Sequence, residues 1–275
     1  RKALPERATH TVFDLSVGYD LAGLRSPRVA AFLDTMRAPQ VCVGELLSEL
    51  PASMSRFARL PFPESVGRSV TLSTFHGCPP HEIERIADFL LTERELDVTI
   101  KLNPTLLGEQ ELLEILHERL GYRDIAVPHS AFANDPTFEE VGGMVERLSA
   151  RAASLGRGFG IKLTNTLVVE NRRPSFSRSE PHAYLSGPPL HVLAVELGRR
   201  FRERFGETLP ISFSAGVDRK NAADTIASGF APVTTCSDLL QPGGYGRMYG
   251  YVNELEGRMT ALGVSDIRTF RQRWR

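Results

Sequence analysis

Cysteine is scarce in this chain. Its three copies, Cys42, Cys78 and Cys236, lie far apart with no C-x-x-C pair, which excludes a disulfide scaffold, a zinc ribbon and an iron–sulfur cluster held by this chain alone. Net charge is lacking as well. Acidic and basic residues balance at 33 each, so no overall field draws in nucleic acid or an anionic membrane. No stretch approaches the roughly 20 apolar residues that span a bilayer, and the start, Arg1-Lys2-Ala3-Leu4-Pro5, has neither an initiating Met nor a signal peptide's apolar core. With 41% hydrophobic and 24% charged residues, the composition predicts a soluble, cytoplasmic α/β protein.

Seven short β-like runs alternate with helical patterns: Thr11–Val17, Ser69–Thr74, Val98–Leu102, Asp124–Val127, Phe159–Leu163, Ile211–Ser214 and Val233–Ser237. Between them apolar residues recur at helical spacing, as in Ile83, Ile86, Ala87, Leu90 and Leu91, or Leu190, Leu193, Ala194, Leu197 and Phe201. Pro79-Pro80 opens a helix; Gly121 and Gly229 close two others. Strand–helix–strand repetition implies right-handed crossovers and a parallel sheet. The fold expected is one TIM (β/α)8-type barrel domain over residues 1–275, short of its first strands, with an excursion at 38–68. Asn171–Gly187, polar and without periodicity, reads as a lid or a plain loop.

The strands are unusual for a barrel, whose strands are normally apolar on both faces. Asp14 and Ser16 alternate with Phe13, Leu15 and Val17; Thr71 and Ser73 with Val70 and Leu72; Lys101 and Lys162 sit between Ile and Leu; Ser212 and Ser214 alternate with Ile211 and Phe213. Period-two alternation lets the apolar set face the helices while the polar set faces the barrel axis, where a lysine needs a partner or a ligand. An antiparallel sheet with one wet face would alternate in the same way. Residues 100–106 and 161–167 also share the pattern I-K-L-x-x-T-L, each with its lysine in the strand and Asn or Thr just after it. Such a lysine could touch a flavin, hold an anion, form a Schiff base or pair internally.

Cys78 falls at a strand-to-helix turn beside His76 and His81. A helix start would lower its pKa and poise it for proton transfer or nucleophilic attack; a small buried cysteine in a tight turn is the plainer reading. Ser214-Ala215-Gly216-Val217-Asp218 and the stretch from Ser237 to Gly244 form two small-residue turns late in the chain, where barrels place phosphate.

Together, Leu72–Pro80, Leu102–Thr105, Lys162–Thr166, Leu185–Gly187, Ser212–Asp218 and Thr235–Leu240 resemble the flavin barrel of dihydroorotate and dihydropyrimidine dehydrogenases. With Ser16–Leu21 and Pro242–Tyr245, they are most similar to the large selenate-reductase-type subunits, the YgfK-type oxidoreductases. The resemblance implies an FMN barrel that moves hydride to or from a small heterocyclic or carbonyl substrate. Iron–sulfur clusters and FAD/NAD(P)H would sit in partner domains or a partner subunit. It implies Cys78 as acid/base and Lys101 or Lys162 against the flavin. Asn103, Thr164 and Asn165 would lie at the flavin or substrate edge, Ser186-Gly187 at a turn, and Ser214, Gly216 and Ser237 in the phosphate loops. Departures from the family are Ala215-Gly216 in place of Gly-Gly and no counterpart of its first strands before Thr11. Other readings of the same residues are a cofactor-less docking scaffold and a Schiff-base lyase using Lys101 or Lys162.

Overall fold

A computed structural model of the chain describes residues 13–73, 77–172 and 179–274. Strands β1 (Asp14–Val17), β2 (Ser69–Ser73), β3 (Asp97–Leu102), β4 (Phe159–Leu163) and β7 (Ile211–Phe213) form one parallel sheet, ordered β1-β2-β3-β4-β7. A second sheet is an antiparallel pair, β5 (Leu167–Glu170) and β6 (His182–Leu185). The main sheet grows in one direction only. A doubly wound sheet reverses its strand order at a switch point, whereas a barrel winds on without reversal. The order seen here is the barrel's.

Three short or exposed helices, α1 (Leu21–Leu24), α2 (Pro27–Arg37) and α3 (Gln40–Ser48), link β1 to β2, followed by a 3-10 turn over Ala52–Arg59. Neither α3 nor that turn buries a side chain. Helix α4 (Pro80–Thr92) crosses from β2 to β3. Between β3 and β4 come α5 (Glu109–Leu113), α6 (His129–Asn134) and α7 (Phe138–Ser154). Helix α8 (Pro188–Phe205) leads to β7, and α9 (Ala222–Ala227), α10 (Met248–Ala261) and α11 (Ile267–Arg273) finish the chain. None of the described helices is long and apolar enough to cross a membrane.

The core lies on one side of the sheet. Val70, Leu72, Val98, Ile100, Leu102, Ile161, Leu163, Ile211 and Phe213 are all buried, under α4 against β3 and under α7 and α8 against β4. Local sequence explains the helix starts. Pro80 sits at the first position of α4, where its missing N–H costs nothing. In α7, Thr137 and Glu140 form a reciprocal capping box. Farther along, Phe201 of α8, fully buried, meets Phe138 at 4.9 Å between ring centroids and stacks on Phe205.

Three sequence expectations are corrected. Asp124–Val127 is not a strand: Gly121 and Pro128 bracket it too closely, and its tie to a strand is the carbonyl of Ala126, which accepts from Glu170 N at 2.8 Å beside β5. Ile125 and Val127 are apolar because they pack on the core from outside the sheet. Val233–Ser237 contributes a single parallel bridge, Val233 to Phe213, before Cys236 turns into a 3-10 segment. Asn171–Gly187, expected without regular structure, holds β6 of the hairpin; its residues 173–178 lie outside the described residues.

Replacing Phe201 with Ala should cost about 3–5 kcal/mol in urea unfolding, through lost burial and the cavity left between the Phe138 and Phe205 rings. A loss below 1 kcal/mol would mean that α8 is not seated on the sheet in this way.

Candidate functional site

On the sheet face away from the helices, register decides which side chains meet. Ser73 is opposite Lys101, Lys101 opposite Lys162, and Lys162 opposite Ser212. Register partners in a parallel sheet point to the same face, on strands about 4.8 Å apart. One layer toward the strand starts lie Ser16, Thr71, Thr99 and Gly160, and one layer farther Asp14, Ser69 and Asp97. Asp14 is exposed but held, accepting from Ser69 Oγ at 2.7 Å and Thr71 Oγ1 at 2.5 Å. Two of the chain's four lysines thus stand side by side on adjacent strands. Burial and the neighbouring Lys162 charge both hold the Lys101 ammonium below the usual lysine pKa, and the Cys236 thiol opposes them.

At the C-terminal ends of β3 and β4 the polar residues tie to each other. Asn165 Nδ2 donates to Asn103 Oδ1 at 2.7 Å and to the Lys101 carbonyl at 3.2 Å. Asn103 Nδ2 donates in turn to Asp135 Oδ2 at 2.9 Å. Both ends of the Asn103 amide therefore touch protein, so it braces the ends of β3 and β4. Thr164 differs. It is 3% exposed, and its Oγ1 has no hydrogen-bond partner, which is rare for a buried hydroxyl.

For Cys78 the structure shows the plainer of the two readings, a small buried cysteine at a turn. The residue before α4 is Pro79, not Cys78, and Cys78 is 1% exposed within the core. Burial, with Glu82 and Asp135 adding to it, pushes the thiol up to about 11. Burial and the two carboxylates thus favour the thiol over the thiolate. His76 lies outside the described residues.

The late turns pack for their own reasons. Gly216 has φ +54°, and a Cβ on it would sit 2.2 Å from the Gly187 carbonyl oxygen, so glycine is required there with or without phosphate. Gly187 is itself at φ +79° before α8, and Ser186 beside it is exposed. Asp218 Oδ1 accepts from Lys220 N at 2.7 Å and Asn221 N at 3.2 Å, so both amides are taken up within the turn. Ser214 Oγ donates to the Leu163 carbonyl at 3.4 Å. Ser237, half-buried, opens the 3-10 turn whose Asp238 is paired with Arg247 at 2.6 Å and Tyr251 at 2.8 Å.

A family model described as oxidoreductase YgfK, N-terminal TIM-barrel domain, matches residues 2–272. The chain belongs to this family. It is 37% identical over 265 residues to YgfK of Escherichia coli K12 and of Escherichia coli O157:H7, proteins named for an inferred oxidoreductase activity. That match takes in 90% of this chain and 25% of theirs, so the chain spans about a quarter of the length of these curated relatives. Among solved structures, a ligand-free dihydroorotate dehydrogenase from Eimeria tenella matches at TM-score 0.44 and 13% identity, over 78% of this chain and 65% of that one. The same enzyme with ferulenol matches at 0.36 and 15%, over 93% and 52%.

Within this YgfK-type barrel, sequence reasoning missed two residues. Asp135 precedes a proline and the α7 cap, where an acidic residue reads as a turn signal; nothing local shows that it reaches β3. His191 is a lone histidine in the first turns of α8. Its Nδ1 lies 2.9 Å from the Ala215 carbonyl and its ring meets Phe213 edge-on. Burial lowers its pKa, so it serves as a neutral donor fixing the Ala215-Gly216 turn.

Two outcomes follow. The Cys78 contribution is fully present below the unfolded thiol's ordinary value near 9 and is lost as pH rises through about 11, so unfolding free energy should fall by up to about 3 kcal/mol across that window. Cys78→Ala should abolish this part of the decline; an identical decline in the variant would contradict the burial. Gly216→Ala should cost roughly 1–3 kcal/mol in denaturant unfolding through its clash with Gly187, equally with and without FMN; a neutral effect would mean the two turns are not in contact.

Proposed function

We propose that this domain is the flavin-binding barrel of a YgfK-type oxidoreductase. It takes FMN along its polar sheet face and works on a small heterocyclic or carbonyl substrate. Electrons would come from FAD, NAD(P)H and iron–sulfur clusters held by other domains or a partner subunit. The observation that carries this reading is the row Ser73, Lys101, Lys162 and Ser212 across four strands, with the buried, unpartnered Thr164 Oγ1 just beyond it. FMN, when bound, supplies hydride exchange at its ring.

The chain's own residues supply the rest. Lys101 and Lys162 offer donors and positive charge to an anionic ring edge or substrate. Thr164 Oγ1 offers a hydrogen bond in a site already dry. Asn165 and Asn103 hold the ends of β3 and β4 at fixed spacing. Cys78, protonated at neutral pH, is a proton donor at Sγ rather than a base. The phosphate end fits less fully, because Asp218 fills two amides; Ser237 and the main chain of the Ser214–Gly216 turn are the candidates there.

A second reading draws on one observation of its own. A lysine desolvated beside another cation is the usual preparation of an amine for Schiff-base formation, and Lys101 beside Lys162 meets that description.

Titrating the purified chain into FMN separates the readings. Quenching of flavin fluorescence is expected, with Lys101→Met and Lys162→Met each weakening binding by about tenfold or more, the worth of a hydrogen bond from a charged donor. Absence of quenching, with borohydride instead trapping a carbonyl compound on Lys101, would replace the flavin reading by the Schiff-base one. Neither event would leave a cofactor-less barrel acting as a docking scaffold.

A further inference from the structure

The turn carrying Cys78 is tied down by a carboxylate from a distant part of the chain. Asp135, just after α6, is 7% exposed. Its Oδ1 accepts from the backbone N–H of Gly77 at 2.7 Å. Its Oδ2 accepts from Thr105 Oγ1 at 2.6 Å and Asn103 Nδ2 at 2.9 Å. Gly77 stands at φ +81°, a conformation that side chains disfavour. One buried carboxylate therefore joins the turn after β2 to the end of β3, and through Asn165 to the end of β4. A carboxylate taken from water is stable only when such donors replace the water, and three are named here.

This arrangement bears on Cys78 directly. The charged groups acting on its thiol are Glu82, on α4, and Asp135, which accepts from Gly77 N. Both are negative, and both disfavour the thiolate. The Asp135 contact with Gly77, the residue before Cys78, also fixes where that thiol can sit.

We propose that Asp135 is a positioning residue that latches the Gly77–Cys78 turn to the end of β3 and thereby sets the reactivity of the Cys78 thiol. The inference takes from the proposed function only the placing of that turn at the site. Its test uses no flavin, so either can fail without the other.

The experiment is alkylation of the full chain by iodoacetamide across a range of pH, with Cys42, Cys78 and Cys236 quantified separately by mass spectrometry. In Asp135→Asn, Cys78 should react about tenfold faster at pH 8, with its midpoint about one unit lower, while Cys42 and Cys236 keep their rates. Thr105→Val removes one donor to the same oxygen without touching the charge and should quicken Cys78 about threefold. It decides the matter alone should Asp135→Asn not fold. Unchanged Cys78 rates in the folded variants would overturn the proposal. So would equal acceleration of all three thiols, since that reports general loosening rather than release of one turn.

Discussion

A lysine in the middle of a parallel β-strand is tolerable only where one face of the sheet is spared its covering of helices. That constraint organises this domain. Five strands alternate apolar and polar residues in phase, and their register brings the phases into line, so α4, α7 and α8 pack on the sheet while hydroxyl, carboxyl and ammonium groups align in rows across it. Had one strand slipped by a single residue, its polar set would have turned into the core, at several kcal/mol for a lysine. The strand pairing and the chemistry of the face are thus one requirement seen twice.

The ends of the strands are fixed by a different principle. Past the sheet, backbone groups lose their ladder partners, and side-chain amides and carboxylates replace them. Asn165 and Asn103 span β4 and β3, Asp135 reaches from α6 to the Cys78 turn, and Asp218 with Asn221 closes the turn after β7. Glycines at 187 and 216 let two of these turns approach backbone to backbone. Beside these braced ends, the buried Thr164 hydroxyl has no hydrogen-bond partner in the protein.

Much of this was legible in the sequence, for local reasons. The five strands of the main sheet announce themselves by alternation, Pro80 marks the α4 start, and the paired I-K-L segments turn out to be register partners. What stayed hidden depends on partners distant in the chain. Asp124–Val127 has a strand's composition but packs beside β5 outside the main sheet. The β5–β6 hairpin alternates in exposure but not in polarity, since Tyr184 faces solvent and Val168 is only half-buried, so its sequence carries no strand signal. Cys78 looked like a thiolate from its place near a helix start; burial and two carboxylates outweigh a helix end that begins one residue later. Nothing local to Asn103 announced its bond to Asp135, 32 residues away.

The central claim is that Lys101 and Lys162 share one partly buried face and feel each other's charge. Amine acetylation of Lys101 followed by mass spectrometry across pH measures that coupling directly. In Lys162→Met the reactive midpoint of Lys101 should move up toward the ordinary lysine value of 10.5, because a neighbouring positive charge has gone. A midpoint that does not move would place the two ammonium groups apart, and the shared polar face with them.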